Sequence, residues 1–479
     1  MSHNKLIEKY RKIPAPAKAS LWFTLCNVIQ KGISFLTMPI FTRIMTTAEY
    51  GEYTNYQAWY QIVSVFATLN LYYGVFNNGM TKYPDDKERF TSSMTGLTTV
   101  LTVGLFVVYL IAPSFWNDVM GLSSLYVYAM FIELLFVPAF NFWAAKERYD
   151  YKYRKIVVVT MIIAFGSPIL GVLAVMNTTY KAEARVLAYV FVQVCIGLVF
   201  YIYNMVKGKK FFIGDYWRFA LLFNIPLIPH YLSSQILNQA DRIMIGKMIG
   251  KSEQAIYSVA YGIGTLMQIV ITAINNSFTP YMYKSIKTRE FSGIRKNSKI
   301  TLTMVGFACI GVMLLGPEII RVMASESFQD AVWIIPPVAC AIFFKYLYPL
   351  FSTVEFYYEK TGFVMIASCI GAVANVILNY IFIGIYGYFA AGYTTLFCYI
   401  LYSFAHYLFQ RRVAREHEIT EPMFDMGYIA AFSVFMLAAM TATLFLYPHR
   451  IVRYVVCLAA AAGFVIMFMR NKSLFIKKG

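Results

Sequence analysis

Long apolar runs recur along the whole chain, separated by short clusters of polar and basic residues. Crossing the hydrocarbon layer as a helix takes about 20 residues. Fourteen segments have that length and character: roughly 19–42, 53–76, 92–113, 124–143, 156–176, 186–206, 219–240, 255–280, 300–323, 332–352, 363–383, 388–409, 427–447 and 452–469. No loop between them exceeds about 20 residues, which leaves no room for a soluble catalytic domain. The pattern predicts an all-α polytopic membrane protein of about 14 transmembrane helices.

Composition sharpens this. Apolar residues make up 59% of the chain and charged residues 14%. A soluble chain runs nearer 45–50% and 25%. A soluble enzyme, a disordered chain and a nucleic-acid binder are excluded on that ground. The seven cysteines, Cys26, Cys195, Cys309, Cys340, Cys369, Cys398 and Cys457, all fall in apolar runs without CxxC or Cys/His spacing. They read as small buried hydrophobes, and neither a metal site nor a disulfide framework is expected.

The net charge of +18 follows from loop placement. With an inside N-terminus, inside segments hold 31 Lys and Arg and outside loops hold 7, with Lys31, Arg43, Arg321 and Lys345 assigned to the spans. Cytoplasmic loops collect basic residues, so both ends are expected in the cytoplasm. The run after Lys18 is too long for a signal-peptide core. The densest inside loop, Lys284 to Lys299, is placed to meet anionic lipid headgroups. Reporter fusions near residues 151, 290 and 415 should therefore read as cytoplasmic, and those near 118 and 181 as outside. A cytoplasmic signal at 181 would break both the span count and the repeat described next.

Arg43-Ile44-Met45 ends the first span, and Arg242-Ile243-Met244 ends the seventh, 199 positions later. Tyr53 and Tyr257 open the following spans, 204 apart, and Pro113 and Pro317 keep that shift. Glu147-Arg148 and Glu359-Lys360 are 212 apart. A shift that grows only at loops is the mark of duplication. Each copy has six spans, so the copies are parallel, related by an axis along the membrane normal. The expected divisions are an N-terminal segment 1–18, an N-lobe 19–206, a linker 207–218 and a C-lobe 219–409. Two extra helices at 427–469 and a tail at 470–479 complete them.

The stretch from Thr42-Arg43-Ile44-Met45 to Glu49-Tyr50-Gly51-Glu52-Tyr53 resembles the early signature of the Wzx-type oligosaccharide flippases. So do Asp241-Arg242-Ile243-Met244-Ile245-Gly246 and Ala255-Ile256-Tyr257-Ser258-Val259-Ala260-Tyr261. Thr47 and Ala255 stand where that family often has Pro and Gly. The resemblance covers most of the first twelve spans. It implies the fold of the multidrug/oligosaccharidyl-lipid/polysaccharide exporter superfamily, which is MATE-like: two six-helix lobes facing each other across a central cavity. It also implies a location in the bacterial cytoplasmic (inner) membrane. The implied partners are a polyprenyl-diphosphate-linked oligosaccharide, membrane lipid, and the polysaccharide polymerase and chain-length machinery.

Gly250-Lys251-Ser252 mimics the end of a Walker A loop, but the required earlier glycine is Ile245, so no ATP site is expected. Glu49 and Glu52 fit a glycosyltransferase loop poorly and read as solvated carboxylates. Ionisable groups within spans are costly and should face a cavity or a partner. Lys31 and His230 are 199 apart, and Glu133 and Lys345 are 212 apart, matching the local repeat shifts. Equivalent positions of a two-fold bundle can face one another across its axis. Lys31, Arg43, His230, Arg242 and Lys345 are thus the expected substrate-binding groups, suited to a diphosphate. Glu133 and Asp241 are the expected coupling or counter-charges. Pro226 and Pro229 each remove a helical hydrogen bond from span seven and mark a hinge.

The function expected is a flippase for lipid-linked oligosaccharide, not an enzyme, working by alternating access for O-antigen, capsule or related polysaccharide. No cofactor is expected; coupling to H⁺, to Na⁺ or to neither stays open. The alternatives are a lipid II-type flippase, a Na⁺/H⁺-coupled multidrug exporter of the same fold and, less favoured, a membrane-embedded polymerase or acyltransferase.

Overall fold

The computed structural model describes residues 14–470, so the ends of the expected terminal segments lie outside the described residues. Within them the chain is helical throughout, and each of the fourteen expected segments overlaps a helix. In chain order these are α1 (Ala15–Ile44), α2 (Thr47–Thr68), α3 (Gly74–Lys82), α4 (Lys87–Ile111), α5 (Pro113–Met120), α6 (Ser124–Tyr149), α7 (Arg154–Met176), α8 (Lys181–Gly208) and α9 (Gly214–Asn224). They continue with α10 (Ile228–Met248), α11 (Lys251–Thr265), α12 (Met267–Thr288), α13 (Phe291–Leu314), α14 (Gly316–Met323), α15 (Ile335–Tyr357), α16 (Thr361–Tyr386), α17 (Ala390–Glu416), α18 (Met426–Leu446) and α19 (Arg450–Arg470).

Nine helices among the described residues are long and apolar enough to cross a membrane on composition alone. Several others fall short because they carry polar side chains inward. On α17, for example, Thr394, Thr395, Ser403, His406 and Gln410 are all buried. Some expected spans are also broken. Span two stops at Thr68, where Leu69 and Asn70 take left-handed backbone (φ 48° and 50°) before α3 begins. Span seven divides at a 3-10 turn, Ile225–Leu227, which contains Pro226. Span nine ends at Leu314, and Pro317 opens the separate short helix α14.

The chain forms two compact units. The first holds the chain through Met45 together with Glu52–Leu232; the second holds Thr46–Gly51 and the chain from Ser233 onward. In the first unit α8 packs against both α6 and α7, α4 lies against α6 and α8, and α1 lies along α7. Gly197 makes the α6–α8 approach possible, because a Cβ there would stand 2.7 Å from the Phe136 backbone. Asn224, fully buried, donates its side-chain amide to the Leu69 carbonyl. The two helix breaks of this unit are thereby tied together.

In the second unit α15 is central: α17, α13, α11, α12 and α18 all pack against it, and α16 packs on α17. The extra pair α18 and α19 rests on α13. Buried Arg453 of α19 is ion-paired with Glu318 of α14. The short segment from Thr46 to Gly51 belongs here too. A Cβ on Gly51 would lie 2.0 Å from the Lys251 carbonyl oxygen, and Thr47 Oγ1 donates to Ser252 Oγ at 3.0 Å. Glu49 accepts from the Thr46 amide at 2.7 Å and donates its own amide to Thr46 Oγ1 at 3.3 Å. That is a capping box, which gives Glu49 a structural role.

Local geometry repeats between the units. Left-handed residues follow α6 at Tyr151 and α15 at Glu359, 208 positions apart, and follow α8 at Lys209 and α17 at Glu418, 209 apart. These shifts lie within about one helical turn of the 212 positions separating Glu133 from Lys345.

Candidate functional site

In the first unit, Glu133 sits midway along α6 and is 1% exposed. Its Oε2 accepts from the Tyr56 hydroxyl at 2.6 Å. It lines a cavity of about 450 Å³ whose polar walls are Asn27 and Gln30 of α1, Tyr60 of α2, Asn141 and Arg148 of α6, Thr160 of α7 and Gln193 of α8. A carboxylate taken this far from water is stable only with a proton, a cation or several donors. Tyr56 supplies one donor to Oε2, and Oε1 is buried without a hydrogen-bond partner among the described residues.

Nearby, and not anticipated from sequence, is Arg185. The span boundaries 156–176 and 186–206 leave it in an outer loop, but α8 begins at Lys181 and carries it inside the unit, 6% exposed. Its guanidinium lies over the Phe41 and Tyr53 rings at 3.8 and 4.4 Å. One Nη donates to the Tyr53 hydroxyl at 3.2 Å, and Nε and the other Nη have no hydrogen-bond acceptor among the described residues. Gly171 makes room for it, since a Cβ there would be 2.6 Å from Nη1. Ring faces partly compensate a buried cation.

The second unit gathers three of the sequence-predicted residues. Asp241 of α10, 1% exposed, accepts from Tyr257 Oη at 2.7 Å and from Thr395 Oγ1 and Asn379 Nδ2 at 2.6 Å each. Asn379 is linked onward to Asn375 at 3.2 Å and to Thr394. Beside it, Arg242 lies 4.6 Å from the Tyr261 ring and donates to the Asn238 carbonyl at 3.2 Å. Lys345 of α15 donates to Asn238 Oδ1 at 2.9 Å. Acid, guanidinium and ammonium thus converge on one stretch of α10. Asn375 and Asn379 escaped the sequence reading, although two asparagines four apart in an apolar span, on one helix face, are a usable signal.

The remaining expected residues stand apart from these clusters. Lys31 is exposed on α1 and does not line the Glu133 cavity. Arg43 is exposed and donates to the Pro39 carbonyl at 2.8 Å. His230 belongs to the first unit, with its ring 6.0 Å from that of Tyr231. Pro226 and Pro229 are exposed at the break of span seven. At the end of the α17–α18 loop, Asp425 caps α18 and pairs with Lys299, whose hydrogen bond holds the carboxyl below its ordinary range.

No cluster of three or more His, Cys, Asp or Glu forms among the described residues. The donors around Asp241 are hydroxyls and amides. Turning the Asn379 amide about its last bond would present its oxygen to the carboxylate. Such a set suits a hard cation or a proton rather than a thiophilic metal.

The model of the polysaccharide biosynthesis protein family matches residues 17–286, and that of the MatE family matches residues 226–381. An uncharacterized membrane protein of Haemophilus influenzae is 21% identical over 317 residues, which is 63% of this chain and 74% of that protein. Among solved structures, the lipid II flippase MurJ in an inward closed conformation superposes with a TM-score of 0.68 at 13% identity, covering 95% of this chain and 100% of that one. A multidrug resistance MATE family transporter of the MOP superfamily, in an inward-facing conformation, gives a TM-score of 0.65 at 13% identity over 82% and 96% of the two chains. At these identities the likeness is one of fold.

Proposed function

Because the chain belongs to the polysaccharide biosynthesis protein family, we propose that it is a flippase that moves polyprenyl-diphosphate-linked oligosaccharide across the bacterial cytoplasmic membrane. What carries this reading is the family match over residues 17–286; the fold shared with a lipid II flippase supports it. The lipid tail stays in the bilayer while the diphosphate and sugars cross by alternating access. Lys31, Arg43, His230, Arg242 and Lys345 attract the diphosphate along the way, and both chain ends lie in the cytoplasm. The broken helix at Ile225–Leu227, flanked by Pro226 and Pro229, serves as a hinge.

Direction requires a ligand that binds one state better than the other, since equal affinity shifts nothing. Glu133 and Asp241 are the coupling groups, taking H⁺ or Na⁺. Replacing Glu133 with Gln keeps the Tyr56 contact and removes the charge. Transport of fluorescent lipid-linked oligosaccharide into vesicles should then lose its dependence on the pH or ion gradient, and an unchanged dependence would remove Glu133 from the coupling role.

The whole reading is tested by deleting the gene. Lipid-linked oligosaccharide should accumulate on the cytoplasmic leaflet and surface polysaccharide should fall. Arg43→Ala and Arg242→Ala should each lower export about tenfold or more, the loss of a charge-assisted contact of about 1.5–3 kcal/mol. Lys at either position should rescue partly, since it lacks the paired donors of Arg. A second reading, a cation-coupled multidrug exporter, draws on the MatE match over residues 226–381. It predicts normal polysaccharide and drug sensitivity in the deletion strain.

A further inference from the structure

One buried ionisable pair has no part in the mechanism above. Glu355 on α15 and His406 on α17 are both 0% exposed, and His406 Nδ1 lies 2.9 and 3.0 Å from the two carboxylate oxygens. The imidazole stands edge-to-face with Tyr348, Tyr402 and Phe363, at centroid distances of 4.7, 4.6 and 5.8 Å. Its Nε2 is buried without a hydrogen-bond partner among the described residues. Neither residue forms another ion pair among the described residues.

The charges on the surrounding elements are engaged elsewhere. Lys360, at the start of α16, pairs with Glu416 of α17 at 3.2 Å. On α13, Arg295 pairs with Glu421 at 2.7 Å and Lys299 with Asp425. From the end of α12, Arg289 reaches the His417 carbonyl, and Lys284 and Lys287 are exposed. On α11, Tyr257 and Tyr261 belong to the Asp241 cluster, and on α18 Tyr428 lies by Lys299. Tyr402 shares a hydrogen bond with Ser368 of α16 at 3.0 Å. No other charged group is therefore paired with Glu355 or His406 among the described residues.

In such surroundings the number of protons held decides the buried charge. With one proton the pair is carboxylate and imidazolium, net neutral. Without it, a lone carboxylate charge is left in an apolar interior; with a second, a lone imidazolium. The one-proton form is favoured for that reason. The bare Nε2 supplies the lone pair that receives the proton. A cavity lies one helical turn away on the same helix. Gln410, 5% exposed, lies four residues along α17 from His406, about 6 Å on the helix axis. It lines a cavity of about 790 Å³ together with Tyr407, Arg411, Arg415 and Arg295.

We infer that Glu355 and His406 form a proton-binding site of the second unit, loaded through the Gln410 cavity. In the loading step hydronium gives its proton to the imidazole and leaves as water; an N–H bond forms and an O–H bond breaks. The loaded pair clamps α15 to α17, and the empty pair weakens that contact. This inference does not depend on the substrate.

The test uses the full-length protein in detergent without substrate, so its failure leaves the flippase reading standing. The unfolding midpoint of the wild type should fall by several degrees between pH 6 and pH 9. The double variant Glu355→Gln/His406→Gln, neutral at every pH, should lack that fall. Equal pH dependence in the two would overturn the site. If the double variant does not fold, Glu355→Gln alone serves, because it removes the carboxylate that the imidazole faces; a wild-type-like fall would again overturn the site. For the route, Gln410→Cys in a background lacking the seven native cysteines should react with a water-soluble maleimide. No reaction would overturn loading through this cavity.

Discussion

Asp241→Ala is expected to abolish transport and to lower stability more than any other polar substitution in the second unit. It removes the one group that accepts from Tyr257, Thr395 and Asn379 together. Each orphaned buried donor costs about 1–3 kcal/mol, and breaking a buried charged network costs about 3–5 kcal/mol. The measurement is thermal unfolding of the purified protein alongside surface polysaccharide in cells. Asp241→Asn separates the two effects: it keeps the shape and loses the charge. It should fold with a smaller loss and still fail to transport. The coupling ion, tested as added sodium and as lowered pH, should raise the unfolding midpoint of the wild type and leave that of Asp241→Asn unmoved, because a ligand stabilises only the state that binds it. An Asp241→Asn protein that exports normally would take Asp241 out of the coupling role.

Gly51→Val should be nearly as damaging, for a steric reason. The backbone carbonyl of Lys251 occupies the place of a Cβ, 2.0 Å away, and backbone cannot swing aside as a flexible side chain can. The starts of α2 and α11 would have to part, losing the bond from Thr47 to Ser252. Overpacking of this kind costs about 1–3 kcal/mol and sometimes more. Gly104→Ala is the control. Nothing lies within 4 Å of a Cβ there, and alanine is the better helix former, so its unfolding midpoint should stay level or rise. If Gly51→Val unfolds with the wild type, this close approach does not hold the helices together.

These two residues also show what the chain discloses on its own. Long apolar runs announce helices, and each of the fourteen expected segments overlaps one; nine helices among the described residues are long and apolar enough to cross a membrane. Their breaks were another matter. Pro226 marked one, but Leu69 and Asn70 carry no proline, and their left-handed turn depends on a buried partner 155 positions away. Asp241 was found through a motif. Its partners Asn379 and Thr395, more than 130 positions downstream, became visible only once α16 and α17 had folded against α10. Arg185 was missed because a basic residue at a helix end reads as solvated, and Glu355 and His406 because each alone looks like the polar end of a span. Gly51 stood in a signature, yet only the proximity of Lys251 gives a reason for a glycine there.

Asn224 and the Leu69 carbonyl form one knot between two kinked strands of chain. A single residue inserted in either kink, at 69–73 or at 225–227, would slip that knot and be felt at the other. Length variation at the two places should therefore be correlated, and a protein engineer lengthening one kink would have to re-tie it by adjusting the second.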